Sequence, residues 1–243
     1  MKISRNPAFV LLFVFLSGIL PVFSQTDDPK FADAIRRSQT SAKIISAVAA
    51  LPANGIPKEI FDKAQAVCIF PNVTTQKLLM EKAIKGRGVV SVRNSTGWTP
   101  PAFYNFGGLV EFDLTSLGQD STNIVLLFMD KDAVAWFQKD VIEFKGEKTP
   151  LAGPLEPASD EQKNRAIYTH IISYTFSKNQ LTGRTIEVDV NKGFAMGPDN
   201  HINQPLYRLK GPEVLAGKKI DSISIPAKVL DFQMALENLW PTR

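Results

Sequence analysis

The chain has 243 residues, 44% hydrophobic and 21% charged, with a formal charge of +4. Such ordinary usage excludes intrinsic disorder, collagen and long coiled coil. One cysteine, Cys68, excludes an intrachain disulfide and a multi-cysteine zinc site, and two histidines, His170 and His201, argue against histidine-rich metal chemistry.

Lys2 and Arg5 precede an apolar run from Ala8 to Leu20, then Pro21 and Val22-Phe23-Ser24 before Gln25. This is the charged, hydrophobic and small-residue order of a secretory signal, predicting a signal peptide over 1–24 and a mature protein from Gln25. The apolar core of 13 residues falls short of the roughly 20 that span a bilayer. Export then gives a periplasmic or extracellular protein, free to associate with a membrane. Removal of Lys2 and Arg5 leaves 26 basic against 24 acidic residues, so the mature chain has no global pull on nucleic acid.

Residues 29 to 51 carry Phe31, Ala34, Ile35, Ala42, Ile45, Val48 and Ala49 at helical steps, with Arg36, Arg37 and Lys43 riding on the helix. Pro52 and Gly55 end it. A short second helix runs from Pro57 to Ala64 with Ile60 and Phe61 inward. Strands are predicted at Ala66 to Phe70, closed by Pro71, and at Val89 to Arg93, running into the reversal Asn94-Ser95-Thr96-Gly97. Further strands are predicted at Ala102 to Phe106, Leu109 to Leu114, Asn123 to Met129, Ile167 to Phe176 and Thr185 to Val190. Between them lie a short helix at Ala133 to Lys139 and a proline-rich loop at Pro150 to Pro157. Pro226 to Trp240 returns to helical spacing. Helices, then many strands, then a closing helix predict one α+β domain over 25–243 with a mainly antiparallel sheet.

Gly86-Arg87-Gly88 has two glycines of a dinucleotide fingerprint, but the third position is Ser91 and the segment enters a strand. His170 could serve a hydrolase with Asp189 or Asp199, though no nucleophile motif accompanies it; a strand histidine satisfied by a neighbour is the plainer reading. Asp130 reads as a helix cap. Asn72-Val73-Thr74 and Asn94-Ser95-Thr96 fit the glycosylation sequon. From Lys77 to Arg87, the residues Lys77, Lys82, Lys85 and Arg87 oppose only Glu81, a local +3 that suits an anionic headgroup or a solvated face.

Ala64-Gln-Ala-Val-Cys-Ile-Phe-Pro-Asn-Val73, Gly86-Arg-Gly-Val-Val-Ser-Val-Arg93, Gly97-Trp-Thr-Pro-Pro-Ala-Phe103 and Gly107-Gly108 together resemble the SYLF domain. Weaker matches follow at Thr122 to Asp130, Ala152-Gly153-Pro154, Ile172 to Lys178 with Gly183, and Asn203 to Tyr207. The resemblance implies a non-enzymatic lipid-binding protein without a cofactor. Its partner would be anionic phospholipid or a membrane surface, not nucleic acid, and export argues against actin. It assigns Gly97, Trp98, Pro100, Pro101, Phe103, Gly107 and Gly108 to the motif framework. Arg36, Arg37 and Lys43 become candidate headgroup contacts, with Ile35, Ile45 and Val48 as acyl contacts or core. Charge patterning adds Lys77, Lys82, Lys85 and Arg87. Where the family is glycine-rich this chain has Thr74 to Ile84 and Leu109 to Asp113, so the fold is expected to transfer more fully than the ligand site. The alternative is an envelope structural or interaction protein without lipid affinity.

Overall fold

Alternating and continuous runs of Val, Ile and Phe build a large, mainly antiparallel sheet, and the amphipathic periods at the two ends of the chain build helices that cover it. The computed structural model describes residues 29–51, 55–77, 82–110, 122–177, 180–182, 194–220 and 225–240. The predicted signal peptide, the predicted strand at Thr185 to Val190 and the part of Leu109 to Leu114 beyond Val110 lie outside the described residues.

Helix α1 spans Pro29–Ala49 and α2 Lys58–Lys63, with Ile60 and Phe61 buried as the spacing predicts. Strand β1 (Ala66–Lys77) pairs with β2 (Lys82–Asn94), which turns through Ser95 and Thr96 into the short β3 (Gly97–Trp98). Strand β4 is Ala102–Val110 and β5 is Thr122–Phe128. Helix α3 (Lys131–Ala135) tightens into a 3-10 turn at Trp136–Gln138. Next come β6 (Ile142–Glu143), β7 (Leu151–Ala152), α4 (Asp160–Ile167), β8 (Ile171–Ser177), β9 (Gln180–Thr182) and β10 (Phe194–Pro198). Helices α5 (Asn200–Tyr207), α6 (Gly211–Leu215) and α7 (Asp231–Leu239) complete the described chain.

The sheet order is β6-β10-β4-β2-β1-β5-β8-β7, with β3 on β2 and β9 on β8. Among the described pairings only β7 with β8 is parallel. The class is therefore α+β, with an amino-terminal and a carboxy-terminal helix. Cys68, fully buried in β1, lies at the sheet centre, where burial pushes its thiol well up from its ordinary value.

Several boundaries differ from expectation for physical reasons. Pro71 does not close β1. The ladder slips between Ile69 and Thr74, Asn72 adopts φ 49°, and its N–H donates to Asn123 Oδ1 at 3.0 Å. A proline has no donor to lose at such a bulge, so the strand continues past it. Ala102 to Val110 is one strand because Gly107 and Gly108 stay in register with Lys85 and Ile84. The segment from Ile167 to His170 is the end of α4 and a turn, and β8 begins at Ile171.

Helix α1 buries Ala34, Ile45 and Val48 against the sheet and the α7 region. Ser38 locks the two helices: its Oγ donates to the Val229 carbonyl at 2.6 Å and accepts the Phe232 N–H at 3.0 Å. Ile45 and Val48 are therefore core, and Ile35 is partly buried against it.

Candidate functional site

Strand alternation sends Lys85 and Arg87 to the face crossed by α1, where both are exposed, and leaves Gly86 and Gly88 on the other face. Each glycine is required by close packing. A Cβ on Gly86 would stand 2.0 Å from the Phe106 ring, and one on Gly88 would stand 2.0 Å from the Ile69 carbonyl oxygen. Phe106 in turn meets Phe70 edge-on at 4.4 Å. Gly86-Arg87-Gly88 is thus a packing motif that projects one arginine, and it forms a strand rather than a phosphate loop.

Helix α1 brings Asp33, Arg36, Arg37 and Thr40 to the same place. Arg36, Arg37, Thr40, Pro71, Asn72, Thr74, Lys85, Gly86 and Arg87 line a cleft of about 410 Å³. The two basic clusters, far apart in sequence, converge there. Asp33 joins them: its carboxylate pairs with Arg36 one turn on, with Arg37 Nη2 at 2.5 Å and with Arg87 Nη2 at 3.6 Å. Burial opposes ionisation of Asp33. The charge and hydrogen bond of Arg37, then the charges of Arg87 and Arg36, overcome that opposition and hold its carboxyl below the ordinary value.

The four cations divide into two kinds. The side chains of Arg36 and Arg87 are 73% and 62% exposed, while Arg37 is 4% exposed. Arg37 also pairs through Nη1 with Asp199 Oδ2 at 3.0 Å, and its guanidinium lies 6.0 Å from the Phe103 ring centre. Arg37, a candidate headgroup contact, is buried: two carboxylates from different elements enclose it, and it holds α1 to the β10–α5 junction. Its removal would leave the buried Asp199 without that cation, a cost on the order of 3–5 kcal/mol.

Lys43 is exposed two turns beyond Arg36, but it borders a separate groove between α1 and α7 with Asp231, Met234 and Leu239. Lys77 and Lys82 face each other at the end of the β1–β2 ladder, and their side chains lie outside the described residues. Of the predicted basic residues, Arg36, Arg37, Lys85 and Arg87 are brought together.

The predicted framework residues are a structural corner. Gly97 has φ 127°, a conformation L side chains rarely adopt, and Glu237 Oε1 accepts the Trp98 N–H at 2.6 Å. Trp98 is buried with the Arg93 guanidinium 4.8 Å from its ring centre. The Pro101 carbonyl accepts the Tyr207 hydroxyl at 2.7 Å. Phe103 is bracketed by Asn203, which accepts its N–H at 2.8 Å and donates to its carbonyl at 2.9 Å. The prolines leave backbone groups that no strand can pair, and α5 supplies the missing partners. Pro100 borders a small surface hollow beside Trp98, whereas Gly107 and Gly108 lie in β4 beside the cleft strand.

His170 is not a strand residue. Its Nδ1 lies 2.7 Å from Asp130 Oδ2, and Asp130 also accepts the Ala133 N–H at 2.7 Å, capping α3 as predicted. Asp199 serves Arg37 instead, Asp189 lies outside the described residues, and among the described hydrogen bonds no hydroxyl joins the His170–Asp130 pair. Both sequon asparagines are exposed.

Asp33 escaped the sequence reading although a signal existed: it stands three and four residues before Arg36 and Arg37, the spacing of helical ion pairs. Asp199 and the polar lining of Thr40, Asn72 and Thr74 had none. No protein-family model matches the chain, and no curated protein matches it.

Proposed function

We propose that the chain is an exported, non-enzymatic protein of the SYLF type that binds anionic phospholipid headgroups in the cleft between α1 and the β1–β2 ribbon. The carrying observation is the convergence of Arg36, Lys85 and Arg87 on one concavity with Thr40, Asn72 and Thr74 as polar neighbours. Guanidinium and ammonium groups around a hollow suit a phosphate oxyanion better than a flat basic face does. The helix contributes its polar stripe to this binding, since its apolar side belongs to the core. That same observation favours the second reading, an envelope interaction protein without lipid affinity, because α1 has no apolar face free to insert.

Co-sedimentation with vesicles separates the two. The mature protein should pellet with phosphatidylglycerol vesicles at low salt, release as salt rises, and stay in solution with phosphatidylcholine vesicles. Equal behaviour toward charged and neutral vesicles would favour the second reading.

A further inference from the structure

Of the described groups around the cleft, one opposes the proposed ligand. Asp33 is an acid set among Arg36, Arg37 and Arg87, and it engages both exposed arginines, one from the helix and one from the strand. Arg37 has a second carboxylate in Asp199, so fixing Arg37 does not by itself require Asp33. Arg36 and Arg87 have no other ion-pair partner among the described residues.

We propose that Asp33 is a specificity-determining residue of the cleft: a built-in counter-ion that an incoming anion must displace from Arg36 and Arg87, setting a charge threshold for binding. The inference rests on the headgroup reading above. A phosphodiester carries one negative charge and offers little beyond what Asp33 already supplies. A terminal phosphomonoester, with up to two charges and three free oxygens, can engage Arg36 and Arg87 together with Lys85. The parent protein therefore prefers phosphomonoester to phosphodiester lipid.

Two effects of removing the carboxylate compete. Asp33 repels the ligand, and it also holds two flexible arginines near one another. A unit charge a few ångströms away changes affinity by about fivefold at the surface and by far more where screening falls, whereas ordering an exposed side chain costs about two- to tenfold. Repulsion wins, so Asp33→Asn should tighten binding.

The experiment compares phosphatidic acid with phosphatidylglycerol vesicles, each diluted in phosphatidylcholine, using the parent, Asp33→Asn and Asp132→Asn. Asp132 is an exposed acid on α3, so its variant carries the same change in net charge away from the cleft. Circular dichroism establishes that each is folded. Asp33→Asn should bind phosphatidylglycerol about tenfold more tightly and phosphatidic acid by a smaller factor, narrowing the parent's preference, while Asp132→Asn matches the parent. Adding Arg87→Gln to Asp33→Asn should remove most of the gain.

A folded Asp33→Asn that binds no better than the parent overturns the inference, and so does an equal gain from Asp132→Asn. If the parent binds neither lipid while Asp33→Asn binds, the counter-ion role stands and lipid binding by the parent fails. If the parent binds and Asp33→Asn is unchanged, the reverse holds. Should Asp33→Asn not fold, Thr40→Asp gives the converse measurement: a second carboxylate in the lining should weaken binding about tenfold, and no weakening would overturn the threshold.

Discussion

Gly86 shows how a single missing Cβ connects packing to the cleft. Its α-hydrogen faces the Phe106 ring, which rests against Phe70 at 4.4 Å and Phe194 at 5.2 Å. Gly86→Ala would place a methyl group within 2.0 Å of that ring, and the ring has aromatic neighbours on both sides. The reduced freedom of the unfolded chain returns about 0.4–1 kcal/mol, but overpacking costs about 1–3 kcal/mol, so the clash dominates. The variant should melt several degrees below the parent in a calorimetric scan. Arg87→Gln, one position on and solvent-facing, should leave the melting temperature nearly unchanged. A Gly86→Ala protein as stable as the parent would mean that the Phe106 stack is looser than the packing requires.

At the level of elements, α1 is fixed to the body by Ser38, whose hydroxyl serves both a carbonyl and an N–H at the entry of α7. Ser38→Ala leaves both groups buried without that partner, a loss of about 1–3 kcal/mol. Chemical denaturation should show the midpoint lowered with the slope unchanged, because the same surface is exposed on unfolding. A stability within 0.5 kcal/mol of the parent, roughly the surface-substitution range, would refute the lock. What made α1 legible was its strong apolar period, and the apolar runs of β1 and β5 were legible for the same reason. Helix α4 was not: of its residues only Ala166 is buried, although its Ser159–Gln162 capping box was there to be read. Strand β2 begins seven residues before the expected Val89, since exposed Lys85 and Arg87 alternate with glycines and mute the strand signal. The two-residue strands β6 and β7 are specified by β10 and β8 rather than by their own residues. The basic residues of the cleft were visible as two clusters. Their meeting depends on the bulge at Asn72, the pairing of Thr74 with Lys85 and the crossing of α1, none of which is local.

Across the whole molecule, the cleft and the His170–Asp130 pair sit at opposite ends of the central strands. Ala66 pairs with Phe128, which pairs with Ile171 beside His170, whereas Thr74 pairs with Lys85 at the cleft. Eight residues of strand separate these ends by roughly 25 Å, about three Debye lengths at physiological salt. Charge at one end therefore has little electrostatic reach to the other. With 26 basic and 24 acidic residues after the predicted signal peptide, net charge is also too small to hold the protein on a membrane by itself. Local clustering must supply the attraction if lipid binding is correct. Arg36→Gln with Arg87→Gln and Lys131→Gln with Lys139→Gln each remove two positive charges, the second pair from exposed positions on or just after the α3 segment. At about 1 kcal/mol for each cation near an anionic surface, the cleft pair should weaken binding to phosphatidylglycerol vesicles by tenfold or more and flatten its salt dependence. The α3 pair should bind as the parent does. Equal losses from both pairs would show that total charge governs association, and the cleft would then be only one part of a diffuse basic surface.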